Sequence, residues 1–138
     1  MKKIFTENAP KAIGPYSHAI QSGNLVFCSG QTPLNPETML IEGATASEQT
    51  TLVLNNLEAV LKTAGCTRSN VLKTSVFLKN FADFEKMNKA YEAFFGDHKP
   101  ARTTVEVSRL PKEALVEIEC VAEIPSLKLV GKKCEVRS

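Results

Sequence analysis

Arg102 lies at the start of the first of two predicted strands in the stretch KPARTTVEVSRLPKEALVEIECVAEI, residues 99–124. A fixed guanidinium can hold a carboxylate ligand through two parallel hydrogen bonds. A glutamate close to that ligand could position water or carry a proton. The plainer interpretation of the pattern is a solvated strand face with surface ion pairs, which contribute little to stability.

Strand periodicity places several carboxylates on one side of the second predicted strand. In the first strand, one face carries the polar side chains Arg102, Thr104, Glu106 and Ser108. In the second, an apolar face opposes the carboxylates of Glu117, Glu119 and Glu123. Because the two strands are predicted to form a pair around a proline turn, a polar stripe with arginine and glutamates is predicted to cross both. The pattern does not choose among the glutamates.

Three further places in the chain have side chains suited to ligand contact. Asn88 interrupts the apolar stripe of a predicted helix, where it serves either a structural hydrogen bond or a ligand. Ser29 and Gly30 end a predicted strand, and a free backbone N–H or the hydroxyl there suits an anion or a carbonyl oxygen. Tyr16 follows a rigid Gly-Pro and could form a pocket wall.

Metal and cofactor sites are not indicated. His18 and His98 are the only histidines, and they are far apart in the sequence. No glycine-rich phosphate-binding motif occurs. The four cysteines have no CxxC spacing and are predicted to be free thiols in a reducing compartment: Cys28, Cys66, Cys120 and Cys134.

Two helices and at least five strands are predicted. Residues 45–64 have an apolar stripe at helical spacing, with Thr45 or Ser47 as N-cap and Gly65 as the C-terminal stop. A second helix follows Asn80, covers residues 81–95 and ends at Gly96. Strands are predicted at 18–22, 24–30, 70–78 and in the two halves of 99–124, with a possible further strand at 2–5.

This order, β-β-α-β-α-β-β, predicts an α+β fold with a mixed sheet and both helices on one face. The other face would expose apolar side chains in a monomer, so oligomerisation is expected. With 138 residues, a single domain at 1–124 and a C-terminal extension of unknown role at 125–138 are predicted.

Composition excludes some function classes. The formal net charge is +2, which does not indicate a nucleic-acid partner. No apolar run is long enough to span a membrane, and the N-terminus lacks the apolar core of a secretory signal. The cytosol is therefore the expected compartment, with an organelle left open.

Five segments together resemble one known family: ENAPKAIGPYSHAI, SGQTPLNPET, NLEAVLKTAG, VLKTSVFLKNFADFEKMNKAYEAFF and PARTTVEVSRLPKEALVEIECVA. They are similar to the RidA (YjgF-type) family of reactive-intermediate, or enamine/imine, deaminases, from about residue 5 to residue 123. The resemblance implies a chorismate-mutase-like fold, a homotrimer with a central barrel, and active sites in clefts between subunits. It also implies hydrolysis of 2-imino acids and enamines such as 2-aminoacrylate to 2-keto acids and ammonia, without a cofactor.

The same resemblance assigns roles to individual residues. Arg102 would hold the substrate carboxylate, and Glu117, rather than Glu106, Glu119 or Glu123, would orient the attacking water. Substrate-binding positions would be Tyr16, Ser29, Gly30, Asn88 and Thr104. Several family members have cysteine where this chain has Thr104, so substrate preference could differ if that thiol matters.

Two other functions stay open at this point. One is an endoribonuclease or translation inhibitor, an activity also attributed to members of this family, although the charge of the chain does not favour it. The other is a trimer that binds keto acids, or acts as a chaperone, without turnover.

Overall fold

The computed structural model describes residues 1–125, which form a mixed six-stranded sheet with two α-helices packed on one face. The extension predicted at 125–138 and Cys134 therefore lie outside the described residues, apart from Pro125. The strands are β1 (Lys2–Ile4), β2 (Ala19–Ser22), β3 (Leu25–Gln31), β4 (Val71–Leu78), β5 (Ala101–Glu106) and β6 (Val116–Glu123). The helices are α1 (Ala46–Thr63) and α2 (Phe84–Phe95).

Helix α1 begins and ends where its sequence predicts. The Thr45 hydroxyl accepts the Glu48 backbone N–H, and the Glu48 carboxylate accepts the Thr45 N–H in return. This capping box satisfies two backbone donors that the first turn leaves free. Gly65 follows the helix with a φ of +88°, a conformation that favours glycine. The predicted apolar stripe is buried against the sheet.

Helix α2 follows a short 3₁₀ turn at Phe81–Asp83. The Asn80 side chain accepts the Ala82 N–H and so opens this turn, and Gly96 ends the helix with a φ of +63°. The second helix is thus confirmed, except that its first turn is 3₁₀ rather than α.

The strand order is β1-β2-β3-β6-β4-β5, and only the β4–β5 pair is parallel. The N-terminal strand and the β2–β3 hairpin are confirmed. The hairpin predicted at 99–124 is wrong, because β4 lies between β5 and β6. The physical reason is the crossover through α2, which brings β5 alongside β4 in parallel, as strand–helix–strand units do.

One sheet face packs against the helices, and the other does not. The helix side carries fully buried side chains such as Val76 and Ile118, which are register neighbours on β4 and β6. The opposite face, called the open face below, carries Phe27 and Val105, which are 46% and 40% exposed. An apolar face of this kind is unusual for a monomer. In the part of the chain described, no helix is long and apolar enough to cross a membrane.

Candidate functional site

Arg102 lies on the helix side of β5 and extends across the side chains of α2. Its guanidinium carbon is 4.9 Å from the centre of the Tyr91 ring and 5.7 Å from that of Phe84. Both distances are within the range of cation–π attraction. Neither ion pair formed within residues 1–125 involves Arg102, so its charge is not neutralised by a carboxylate of these residues.

Arg102 lines an open cavity of about 540 Å³ between β5 and the C-terminal half of α2. Asn88 and Tyr91 form part of the helix wall, and His98 and Lys99 belong to the segment that leads into β5. This volume is in the range of small-molecule sites. A cavity with a half-buried guanidinium suits a small anionic ligand.

Two buried side-chain oxygens have no hydrogen-bond partner within residues 1–125. They are Asn88 Oδ1, which belongs to a residue of the cavity wall, and Thr104 Oγ1, two residues beyond Arg102 on the same strand face. Buried polar atoms are nearly always hydrogen-bonded in native proteins. A ligand or water in the cavity that donates a hydrogen bond would satisfy Asn88 Oδ1.

Glu117 occupies a different environment, on the open face of β6. Its carboxyl lies directly over Gly30, where a Cβ would be 3.0 Å from Glu117 Cδ and 3.1 Å from Cγ, with Oε2 nearer still. Any other residue at position 30 would force the Glu117 side chain to move. Burial raises the pKa of the Glu117 carboxyl above its ordinary value, and the nearby charge of Glu119 raises it further.

Arg102 and Glu117 lie on opposite faces of the sheet, which corrects the polar stripe predicted to carry both. Arg102 is in register with Thr74, whereas Glu117 is in register with Phe77, three residues further along β4. Side chains three residues apart in a strand point to opposite faces. Because β4 separates the two strands, their relative register could not be obtained from periodicity alone. Within one chain, therefore, the two side chains do not line one cavity.

The other glutamates of the stretch have structural or surface positions. Glu106 Oε1 accepts the Phe81 N–H at 2.7 Å, at the start of the turn before α2. Glu123 accepts a hydrogen bond from the Asn24 side chain at 3.1 Å, and Glu119 is exposed. Of these four glutamates, Glu117 is the partly buried one, and the other three are exposed.

Ser29 and Tyr16 lie in a small network that connects the N-terminal segment to β3. The Ser29 hydroxyl donates to the Ser17 carbonyl at 2.7 Å, and the Ser29 N–H donates to the His18 carbonyl at 2.9 Å. Tyr16 is 44% exposed, and its hydroxyl accepts the Ile13 N–H at 3.4 Å. Ser29 and Gly30 interrupt the register of β3 and β6, between Cys28 and Gln31. The Ser29 hydroxyl thus already has a partner.

His18 is the anchor of this network. Its Nδ1 accepts the Thr6 N–H at 3.0 Å, and its Nε2 donates to the Pro10 carbonyl at 2.7 Å. Both ring nitrogens are therefore satisfied by the backbone of the N-terminal segment, which fixes the imidazole as the neutral Nε2–H tautomer.

The site contains residues that the sequence did not indicate. No site role was predicted for Tyr91, yet its ring lies below Arg102, and its hydroxyl shares a hydrogen bond of 2.8 Å with the Thr74 hydroxyl. His98 also lines the cavity, with Nε2 donating to the Val71 carbonyl at 2.7 Å. The spacing of three residues between Asn88 and Tyr91 places both on one face of the helix and could have indicated a shared site. An aromatic residue in the apolar stripe of a helix, however, usually packs in the hydrophobic core.

Across residues 1–125, no three His, Cys, Asp or Glu side chains are close enough together to hold a metal ion. Cys28, Cys66 and Cys120 are free and buried in the core. Cys28 and Cys120 are direct neighbours across β3 and β6.

Relatives of known sequence cover nearly all of the described chain. A 119-residue stretch is 53% identical to a RutC family protein of Pyrococcus horikoshii, which corresponds to 86% of this chain and 94% of the relative. Over 124 residues the chain is 45% identical to the 2-iminobutanoate/2-iminopropanoate deaminase of Escherichia coli, covering 88% and 96% of the two chains.

Solved structures show the same fold. The YjgF gene product of Escherichia coli superimposes with a TM-score of 0.85 at 44% identity, over 89% of this chain and 98% of that one. A putative endoribonuclease of Thermotoga maritima gives a TM-score of 0.88 at 42% identity, over 91% and 99%. RidA from an Antarctic Psychrobacter gives 0.87 at 37% identity, over 90% and 100%.

The profile of the family described as endoribonuclease L-PSP matches residues 6–124. This range includes every residue of the candidate site. Together with the relatives and the shared chorismate-mutase-like fold, it shows that the chain belongs to the endoribonuclease L-PSP family and, within it, to the Rid (YjgF-type) proteins.

Proposed function

We propose that the protein hydrolyses small 2-imino acids and their enamine tautomers, such as 2-aminoacrylate, 2-iminopropanoate and 2-iminobutanoate, to 2-keto acids and ammonia. The observation that carries this proposal is the cavity lined by Arg102 and Asn88: within residues 1–125 the Arg102 guanidinium forms no ion pair, and Asn88 Oδ1 has no hydrogen-bond partner. The deaminase name of a relative that is 45% identical supports the same reaction.

Arg102 binds the substrate carboxylate in this proposal. A charge-assisted contact to a guanidinium contributes about 1.5–3 kcal/mol. Two parallel hydrogen bonds also fix the orientation of the carboxylate, and with it the adjacent C=N group. Asn88 Oδ1, which has no hydrogen-bond partner within residues 1–125, can accept a hydrogen bond from the imine or enamine nitrogen.

Glu117 orients and activates water in this proposal. Water adds to the C=N carbon, and its proton passes to the carboxylate and on to nitrogen. The hydroxyl proton of the carbinolamine then passes through the same carboxylate to the amino group, and ammonia leaves as the C–N bond breaks and the C=O bond forms. A carboxyl whose pKa is raised by burial is suited to both accept and return a proton near neutral pH.

The position of the two residues supports a site built from two copies of the chain. Arg102 faces the helices and Glu117 faces the open side, so a complete site requires the Arg102 cavity of one subunit and the open face of a neighbour. We propose a homotrimer in which the open faces form a central barrel. This arrangement would also remove Phe27 and Val105 from water.

The test is a coupled assay in which a serine dehydratase releases 2-aminoacrylate and pyruvate formation is followed. The parent protein should accelerate pyruvate release over spontaneous hydrolysis, and Arg102→Ala should remove most of that acceleration. Arg102→Lys is the matched variant, which keeps the charge but cannot make the bidentate contact. Full activity of Arg102→Ala would contradict the role given to this residue.

A second candidate is favoured by the endoribonuclease description of the family and of two solved structures. Cleavage of RNA that is sensitive to salt and survives Arg102→Ala, without imine hydrolysis, would support it over the deaminase.

A third candidate is a binding protein without turnover, since a related structure, TdcF of Escherichia coli, is described with bound serine. Saturable binding of 2-ketobutyrate without accelerated hydrolysis would favour this function. The same coupled assay therefore distinguishes all three.

A further inference from the structure

Tyr91 is buried in α2 with 8% of its surface exposed, and its ring lies 4.9 Å from the Arg102 guanidinium carbon. A tyrosine hydroxyl in such a place requires a partner. The partner is the fully buried Thr74 hydroxyl on β4, at 2.8 Å. This hydrogen bond is buried, and one of its two residues, Tyr91, lines the cavity.

Thr74 is also the register neighbour of Arg102 in the parallel β4–β5 pair. The three side chains therefore form a closed set: the strand pair joins Arg102 to Thr74, the hydrogen bond joins Thr74 to Tyr91, and the ring joins Tyr91 to Arg102. Phe84 is the second ring near the guanidinium, at 5.7 Å; it stacks on Phe81, but it has no polar group that could fix it.

An arginine side chain has many rotamers, and ordering them on ligand binding reduces affinity. A guanidinium held over an aromatic ring before the ligand arrives avoids part of this loss. The ring can hold the guanidinium in one place only if the ring itself is fixed.

We propose that Thr74 and Tyr91 are positioning residues for Arg102: the bond between their hydroxyls fixes the Tyr91 ring, and the ring holds the guanidinium in the orientation that binds a carboxylate. The carboxylate part of this inference rests on the proposed function. The part that concerns the orientation of Arg102 does not, and it can be tested without a ligand.

The first experiment measures the motion of the Arg102 Nε–Hε bond by ¹⁵N relaxation in the ligand-free protein. Thr74→Val removes the hydroxyl at nearly constant volume, and Tyr91→Phe keeps the ring but removes its anchor. Both variants should lower the order parameter of this bond. The control is Thr50→Val, which removes another fully buried threonine hydroxyl, bonded to the Ala46 carbonyl in α1. An Arg102 signal unchanged in both Thr74→Val and Tyr91→Phe would overturn the inference.

The second experiment measures KM and kcat in the coupled assay. Each single variant should raise KM about fivefold, the effect of one lost hydrogen bond, with a smaller change in kcat. The double variant should resemble either single one, because both remove the same bond. Effects that add in the double variant, or equal effects of Thr50→Val, would contradict the positioning role.

The two experiments also separate this inference from the proposed function. If the parent protein shows no deaminase activity, the proposed function fails, and the relaxation experiment alone decides whether Thr74 and Tyr91 position Arg102. If the parent is active and Arg102 is equally ordered in every variant, the deaminase stands and the positioning role is refuted.

Discussion

The partly buried carboxyl of Glu117 lies over Gly30, which has no Cβ to occupy that space. Gly30 was predicted as a site residue because of its backbone, and the structure adds that its missing Cβ leaves space for the Glu117 side chain. The resemblance implies a role for both residues, and the structure shows that they contact each other.

Replacement of Glu117 by glutamine should lower kcat by about 100-fold or more, because the amide can hold water but cannot accept its proton. Glu123→Gln, on the same strand but hydrogen-bonded to Asn24, is the matched control and should leave kcat unchanged. The coupled pyruvate assay measures both. A kcat of Glu117→Gln within a few-fold of the parent would exclude Glu117 as the proton acceptor.

The same substitution should change how stability depends on pH. The pKa of Glu117 is raised in the folded protein, so folding favours the protonated form. The contribution of this group is therefore complete below the ordinary glutamate pKa and is lost as pH rises through the raised value. Glu117→Gln should thus gain stability relative to the parent across that window, measured as the thermal midpoint between pH 4 and pH 8. A constant difference over this range would contradict the raised pKa.

Gly30→Ala should lower both activity and stability, since the new Cβ meets the Glu117 carboxyl and one of the two must move. The control is Gly23→Ala in the β2–β3 turn, where φ is +62° and no atom lies within 4 Å of the new Cβ. That variant should lose about 1 kcal/mol of stability from backbone strain and keep its activity. Denaturation and the coupled assay measure the two effects. Equal loss of activity in both variants would argue against a steric role of Gly30.

Among the elements, the helices are those whose ends the sequence predicted best. Their boundaries depend on local groups, such as the Thr45–Glu48 capping box and the glycines at positions 65 and 96. The pairing of strands depends instead on which element crosses over, and this is why the predicted hairpin between β5 and β6 was wrong.

Thr45→Ala should lower the free energy of unfolding by about 1 kcal/mol, because the first turn of α1 loses a side-chain acceptor. Thr51→Ala, an exposed position in the same helix, is the control. Urea denaturation of both variants gives the difference, and an equal effect at the two positions would show that the capping box does not stabilise α1.

For the whole molecule, the positions of Arg102 and Glu117 on opposite faces lead to a complementation test. Neither Arg102→Ala nor Glu117→Gln should be active alone. Trimers reassembled from an equal mixture should recover about one quarter of the parent activity, since three quarters of them are mixed and each mixed trimer has one intact site of three.

Size-exclusion chromatography with light scattering verifies the trimer before the assay. Recovery requires that each site takes Arg102 from one subunit and Glu117 from a neighbour. An inactive mixture of well-assembled trimers would show that the site does not join two copies in this way.

The sequence by itself determined the two helices, the α+β class and the candidate side chains, because apolar periodicity, caps and turn glycines act over a few residues. It also contained motifs long enough to predict the family, which the comparisons confirmed. Only the tertiary structure decided that β4 separates Arg102 from Glu117, that the two face opposite sides of the sheet, and that Tyr91 and Thr74 lie beside Arg102. These relations depend on strand order and register, which join residues far apart in the chain and which no local pattern encodes.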